Sequence, residues 1–287
     1  MSVAQSTDTK TALVLGGSGK TGRRVAERLA ARGLQLRVGS RSGVPPFDWE
    51  DRTTWGAALQ NVASAYITYY PDVAVPGASD TIGTFARLAV AQGVRRLVLL
   101  SGRGEEGAML AEQEVRESGA EWTILRSAWF NQNFSEGAFV DQVREGEVVL
   151  PAGDTPEPFV DADDIADVAV AALTEDGHAG QLYELTGPRL LTFHEAIAEI
   201  AQASGRDIRY VPVSIEEFVR TAYDVPADVI WLLSYLFTEV LDGRNAHLTD
   251  GVQRALGRAP RDFRDYARRA AASEIWAPAG AAASTAR

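Results

Sequence analysis

Gly16, Gly19 and Gly22, in the stretch Leu15-Gly16-Gly17-Ser18-Gly19-Lys20-Thr21-Gly22, are spaced so that backbone N–H groups can close on a phosphate, with Lys20 and Thr21 in the same turn. Two phosphate chemistries compete for such a loop. A triphosphate loop needs G-x-x-x-x-G-K-[ST]; with Gly19-Lys20-Thr21 as its end, the first glycine would fall on Val14. That template fails. The remaining pattern, G-x-x-G-x-x-G, is a variant of the turn that receives the pyrophosphate of a dinucleotide.

Such a turn works only between a strand and a helix, which supplies the N-terminal dipole. Thr11 to Leu15 is a short apolar run suited to a strand buried on both faces. From Lys20 to Arg32, Val25, Ala26, Leu29 and Ala30 recur at helical spacing, and Gly33 stands where a left-handed cap is wanted. Leu34 to Val38 then reads as a second strand, followed by Ser40 and Arg41. Arg41 lies about 19 residues past Gly22, near the position that reads the ribose 2′ group. A guanidinium and a hydroxyl there, instead of an acid, suit a 2′-phosphate, so NADP(H) is expected over NAD(H). The alternative is that Arg41 is a solvated loop charge.

The alternation continues along the chain. Strands are expected at 63–68, 96–100 and 122–125, with helices from Ser79 to Gln92, ending at Gly93, and from about Glu105 to Ser118. This is the rhythm of an α/β, Rossmann-type doubly wound parallel sheet. Beyond about Phe134 it loosens into a smaller, mostly helical substrate-side part. The expected organisation is a flexible segment over 1–10, a cofactor-binding core over 11–155, the remaining Rossmann elements and the substrate-side part over 156–276, and a disordered tail over 277–287.

The chain has 287 residues, enough for a full core, and a formal charge of −11, which argues against a nucleic-acid surface. Its lack of cysteine excludes disulfides and thiolate ligands. No run is long enough to span a membrane, and MSVAQSTDTK lacks the apolar centre of a signal peptide, so a cytoplasmic protein is expected. Asp161, Asp163 and Asp164 precede a helical pattern and read as helix caps; a metal cluster is the sharper and less favoured reading, since no histidine lies near. Thr192-Phe193-His194-Glu195 is a capping box for a helix to about Ser204. His194 then reads as a first-turn residue, His178 as a turn residue, and His247 has no recognisable partner.

The segments GGSGKTG, GSRS, FDWED, LVLLS, WTILRSAWFNQNFSE, PFVDADDIADVAVAAL and LTGPRLLTFHEA together resemble the NmrA-like atypical short-chain dehydrogenase/reductase family, and within it the branch of festuclavine synthase and agroclavine dehydrogenase. The likeness runs from about residue 11 to 265. It implies that Gly16, Ser18, Gly19, Lys20, Thr21 and Gly22 form the pyrophosphate loop and that Asp48 and Trp49 lie on the adenine side, although Trp49 could equally be core. Tyr69, Tyr70 and Ser101, and the run from Ser127 through Trp129 and Phe130 to Asn131, match cofactor and substrate walls. Arg126 and Asn133 match structural hydrogen-bonding positions. Ser127 stands where relatives commonly have proline.

A typical short-chain dehydrogenase protonates a carbonyl oxygen with Tyr-x-x-x-Lys as hydride arrives. The corresponding helix, GRGEEGAMLAEQEVRESG, has neither residue. Ser101 remains as a candidate, but an isolated serine is a poor acid. Reduction of an ordinary ketone is therefore disfavoured, whereas an iminium already carries the charge that protonation would supply. Quinones and cationic dyes, reduced by other members of the family, meet that requirement in part. Trp129, Phe130, Trp231, Tyr235 and Phe237 could cover a flat aromatic or cyclic substrate, or could instead be core or a dimer face. The rival reading is a sensor that binds the dinucleotide and acts through a protein partner.

Overall fold

The computed structural model describes residues 11–137, 139–221 and 225–278; the segment 1–10 and residues 279–287 of the tail lie outside the described residues. The chain opens with β1 (Thr11–Leu15), α1 (Lys20–Ala31), β2 (Leu36–Gly39), α2 (Trp55–Ala58), β3 (Val62–Ile67), α3 (Ala78–Ala91), β4 (Arg96–Gly102), α4 (Glu106–Glu117) and β5 (Glu121–Ser127). It continues with α5 (Val140–Glu145), β6 (Glu147–Leu150), α6 (Ala162–Thr174), β7 (Gln181–Leu185), α7 (Phe193–Ser204), β8 (Arg209–Pro212), α8 (Ile215–Thr221), α9 (Ala227–Tyr235), α10 (Gly251–Leu256) and α11 (Phe263–Ala272).

Six strands form one sheet in the order β2-β1-β3-β4-β5-β7, with β1 parallel to both β2 and β3, and β3 parallel to β4. The expected Rossmann-type α/β architecture is present. Because β2 and β3 lie on opposite sides of β1, the chain reverses direction across the sheet there, which is where such folds open a crevice for ligands. Two boundaries differ informatively from the sequence reading. After α1, Gly33 adopts φ +73°, and the Leu34 N–H reaches back to the Leu29 carbonyl, so Leu34 and Gln35 serve the helix exit and β2 starts at Leu36. β4 runs on through Ser101 and Gly102, which places Ser101 inside a strand instead of after one.

The chain divides into two compact units. One takes the described residues up to Ser101 together with Gly107–Leu125 and Ala166–Leu182; the other takes Gly102–Glu106, Arg126–Ile165 and the chain from Tyr183 onward. In the first unit, Leu13, Leu15, Ile67, Leu97 and Leu99 from the strands pack with Ile82 and Phe85 of α3 and with Ala108, Ala111 and Val115 of α4. Each fully buried large aliphatic or aromatic side chain contributes roughly 1.5–3 kcal/mol. Arg28 of α1 also meets Asp167 of α6 at 2.7 Å.

The second unit is centred on Phe134, Phe139, Phe159, Phe193, Phe237 and Phe263, with Trp276 closing one side through an indole hydrogen bond to the Phe134 carbonyl. A short parallel pair, β6 with β8, lies in the same unit. Helix α7 carries the expected capping box, with Thr192 Oγ1 accepting the Glu195 N–H and Glu195 accepting the Thr192 N–H. Asp161 accepts the Asp163 N–H and a Gln132 amide hydrogen, and pairs with Arg269 at 2.6 Å. Asp164 pairs with Arg258 at 2.7 Å and with Arg261. Both carboxylates are fully buried and are held by arginines and backbone, the capping arrangement carried into the interior.

Candidate functional site

Strand β1 ends at Leu15, and Gly16 turns the chain with φ +64°, a conformation that a side chain would strain. The Gly19 N–H donates to the Gly16 carbonyl at 2.8 Å, closing the loop on itself. A Cβ on Gly22 would run into the Gly16 carbonyl, and one on Gly17 into Val38; these glycines allow helix, loop and second strand to pack together. Gly19 is different. It is exposed, and a Cβ there would meet only the Gly16 oxygen at 3.2 Å. Gly19 is also the N-cap of α1, with no side-chain cap and no acid in the first turn, so the positive end of the dipole is left for an external anion. Ser18 is exposed beside it, Lys20 is half-buried and Thr21 is buried.

Beyond β2, the Ser40 carbonyl accepts the N–H groups of Gly43 and Phe47, a tight turn that holds Arg41 outward. Arg41 is exposed, and its guanidinium has no partner among the described residues. Asp48 uses its carboxylate locally, accepting the Glu50 N–H at 3.1 Å, while its carbonyl accepts the Trp55 indole N–H at 2.7 Å. Trp49 is half-buried on the core, edge-on to Phe47 and Phe85 and 5.0 Å from the Tyr69 ring, and donates its indole N–H to the Thr68 carbonyl. Trp49 and Tyr69 therefore form a wall beyond β3, and Thr68 joins that wall to the glycine turn by donating to the Leu15 carbonyl at 3.1 Å. Tyr70 is 81% exposed.

Ser101 is not the isolated serine that the sequence suggested. Side chains alternate along β4, so Leu97, Leu99 and Ser101 face the same way, toward the packing surface of α4. There the Ser101 hydroxyl donates to Glu112 Oε1 at 2.7 Å, with both residues at most 3% exposed, and Arg116 approaches the other carboxylate oxygen at 3.4 Å. In the sequence the only sign of this partner is a single acid, Glu112, on the apolar face that Ala108, Ala111 and Val115 define.

In the second unit Arg103 is buried, donates to the Asn245 carbonyl at 3.1 Å, and lies 2.9 Å from His247 Nε2 and 3.8 Å from Glu184. His247 thus has a partner that its sequence neighbours did not reveal. Arg126 pairs with Glu184 at 3.1 Å, the structural role expected of it. Glu157 is 1% exposed, with one carboxyl oxygen taken by no hydrogen bond and with the Trp129 backbone N–H as donor to the group. Burial pushes its carboxyl up to about 7, against the opposing pull of Arg103. The Ser127 hydroxyl and both polar atoms of the Asn131 amide are likewise buried without partners among the described residues.

The aromatic candidates of this unit separate into classes. Trp129 is half-buried, with Phe193 and Phe237 about 5.4 and 5.3 Å from its ring; Phe237 itself is core. Phe130 is half-buried and bridges Val160 through its backbone. Trp231 and Tyr235 stack in parallel at 5.7 Å on α9, with Trp231 46% exposed. Tyr235 is half-buried, so of this pair only Trp231 is exposed.

No protein-family model matches the chain. It is 32% identical over 278 residues to the uncharacterized oxidoreductase YesF of Bacillus subtilis, covering 92% of this chain and 96% of that one. It is also 32% identical over 280 residues to festuclavine dehydrogenase of Aspergillus fumigatus, covering 90% and 96% of the two chains. Among solved structures, the triphenylmethane reductase of a Citrobacter species complexed with NADP(H) shares the fold with a TM-score of 0.72 at 20% identity, covering 91% and 99%. Nmra, a negative transcriptional regulator, shares it with a TM-score of 0.70 at 18% identity, covering 93% and 97%.

Proposed function

This chain belongs to the NmrA-like atypical short-chain dehydrogenase/reductase family, and on that premise we propose that it is an NADP(H)-dependent oxidoreductase acting on electron-poor small organic acceptors, with cyclic iminium ions as the leading class. The observation that carries the cofactor half is Arg41: an exposed guanidinium without a partner among the described residues, directly after β2, with no acid from Gly39 to Ser42. The α1 N-terminus takes the pyrophosphate, which the exposed, side-chain-free Gly19 lets approach closely, Arg41 and Ser40 take the 2′-phosphate, and Trp49 and Tyr69 wall the crevice beyond β3. When bound, the dihydronicotinamide supplies hydride.

The acceptor class follows from what the chain does with its protons. Helix α4 has no tyrosine or lysine, and the Ser101 proton is engaged by Glu112, so neither the usual Tyr-x-x-x-Lys pair nor Ser101 is available to protonate a developing alkoxide. An iminium needs no such acid. Trp129, half-buried in the second unit, is the aromatic surface assigned to a flat cation. Steady-state NADPH oxidation by wild type and Ser101→Ala tests this reading. With an iminium the variant should keep its rate within about tenfold, because loss of a general acid costs about 10²–10⁴. Efficient aldehyde reduction that collapses in Ser101→Ala would show that Ser101 and Glu112 deliver a proton. Tight NADPH binding without turnover of any acceptor would favour the sensor reading.

A further inference from the structure

Ser101 and Glu112 lie within the first unit, on the face that β4 presents to α4, and their hydrogen bond has a direction. A carboxylate only accepts, so the serine must give its proton to Glu112 and is left with oxygen lone pairs. Arg116 approaches the second carboxylate oxygen at 3.4 Å, a further donor to the same group. Burial of both side chains leaves the hydroxyl little freedom to rotate toward another acceptor. Ser101 is thus fixed as an acceptor at the carboxyl end of a middle strand.

The sheet order says which part of a dinucleotide that acceptor would meet. The glycine turn follows β1 and Arg41 follows β2, so the phosphates and the adenosine belong to that side of the sheet; β4 lies two strands beyond β1 in the opposite direction. The nicotinamide half is the part that reaches so far, and the N–H donor it offers is its carboxamide. We propose that Glu112 is a positioning residue that locks Ser101 as the hydrogen-bond acceptor for the nicotinamide carboxamide, so that the pair orients the cofactor ring and does not protonate substrate. This rests on the cofactor reading above and extends it to the residue that selects the carboxamide.

The test is a binding measurement and needs no substrate. Dissociation constants for NADPH and for its 3-acetylpyridine analogue, in which a methyl ketone replaces the amide, are measured by fluorescence titration for wild type, Ser101→Ala and Glu112→Leu. Wild type should prefer NADPH by about tenfold, the scale of one hydrogen bond. Ser101→Ala, which removes only an oxygen and needs no new space, should bring the preference close to one. Glu112→Leu should do the same although Ser101 is intact, because the released hydroxyl can donate to the ketone. A folded Ser101→Ala protein with the full wild-type preference overturns the assignment. Equal weakening of both cofactors in Glu112→Leu, with the preference kept, would give Glu112 a packing role only and also overturn it. Failure of wild type to bind either compound would instead remove the cofactor reading itself.

Discussion

Arg41 and Glu157 are single residues whose settings make separate predictions. Arg41→Ala should weaken NADPH by roughly 1.5–3 kcal/mol, the worth of a charged hydrogen bond, and leave NADH nearly unchanged. Titration of both cofactors checks this, and equal losses would mean that Arg41 serves the shared pyrophosphate or the fold. Glu157 bears on stability. Its carboxyl is raised from an ordinary 4.5 to about 7 by burial, so between those values the folded chain holds a proton that the unfolded chain releases. Stability should therefore be highest below about pH 4.5 as far as this group is concerned, fall as pH rises through 7, and level off above it. Glu157→Gln keeps the shape without the charge, and urea midpoints at pH 5 and pH 8 should show a smaller loss in the variant, by roughly 2–3 kcal/mol. Parallel pH dependence of the two proteins would mean that Arg103 already compensates an ionised Glu157.

At the scale of elements, the glycine turn and α1 were legible because the turn must satisfy steric rules written into sequence: positive φ at Gly16, close packing at Gly22, an uncapped helix start at Gly19. Those three glycines should separate experimentally. Gly19→Val should fold, since its Cβ meets only one oxygen at 3.2 Å, yet lose NADPH affinity by more than tenfold as the side chain enters the anion's space. Gly22→Val should instead lose several kcal/mol of stability, because its Cβ collides with loop backbone. Unimpaired NADPH binding by a folded Gly19→Val protein would remove the pyrophosphate assignment. The capping box at Thr192 was legible for the same local reason. The Ser101 to Glu112 pair and the Arg103 to His247 contact were not, since one joins a strand to the following helix and the other spans residues far apart in the chain. Periodicity says which face a residue lies on, but not which polar group on the facing element meets it. Glu157, an acid between Pro156 and Pro158 ahead of Phe159 and Val160, carried a faint signal in its apolar neighbours.

For the whole molecule, the strand order, the anion-ready start of α1, the Arg41 guanidinium without a partner among the described residues and the engaged proton of Ser101 all support one proposal: that hydride passes from NADPH to an acceptor that is already activated. The fold alone cannot decide that, because a reductase and a regulator share it. The direct measurement is NADPH consumption by the wild-type protein, with product formation followed in parallel, for a cyclic iminium and the aldehyde of matched ring size. The account predicts one product per NADPH consumed with the iminium, and a kcat/KM at least about a hundredfold lower with the aldehyde, the typical cost of lacking a general acid. Equal kcat/KM for the two acceptors would contradict it.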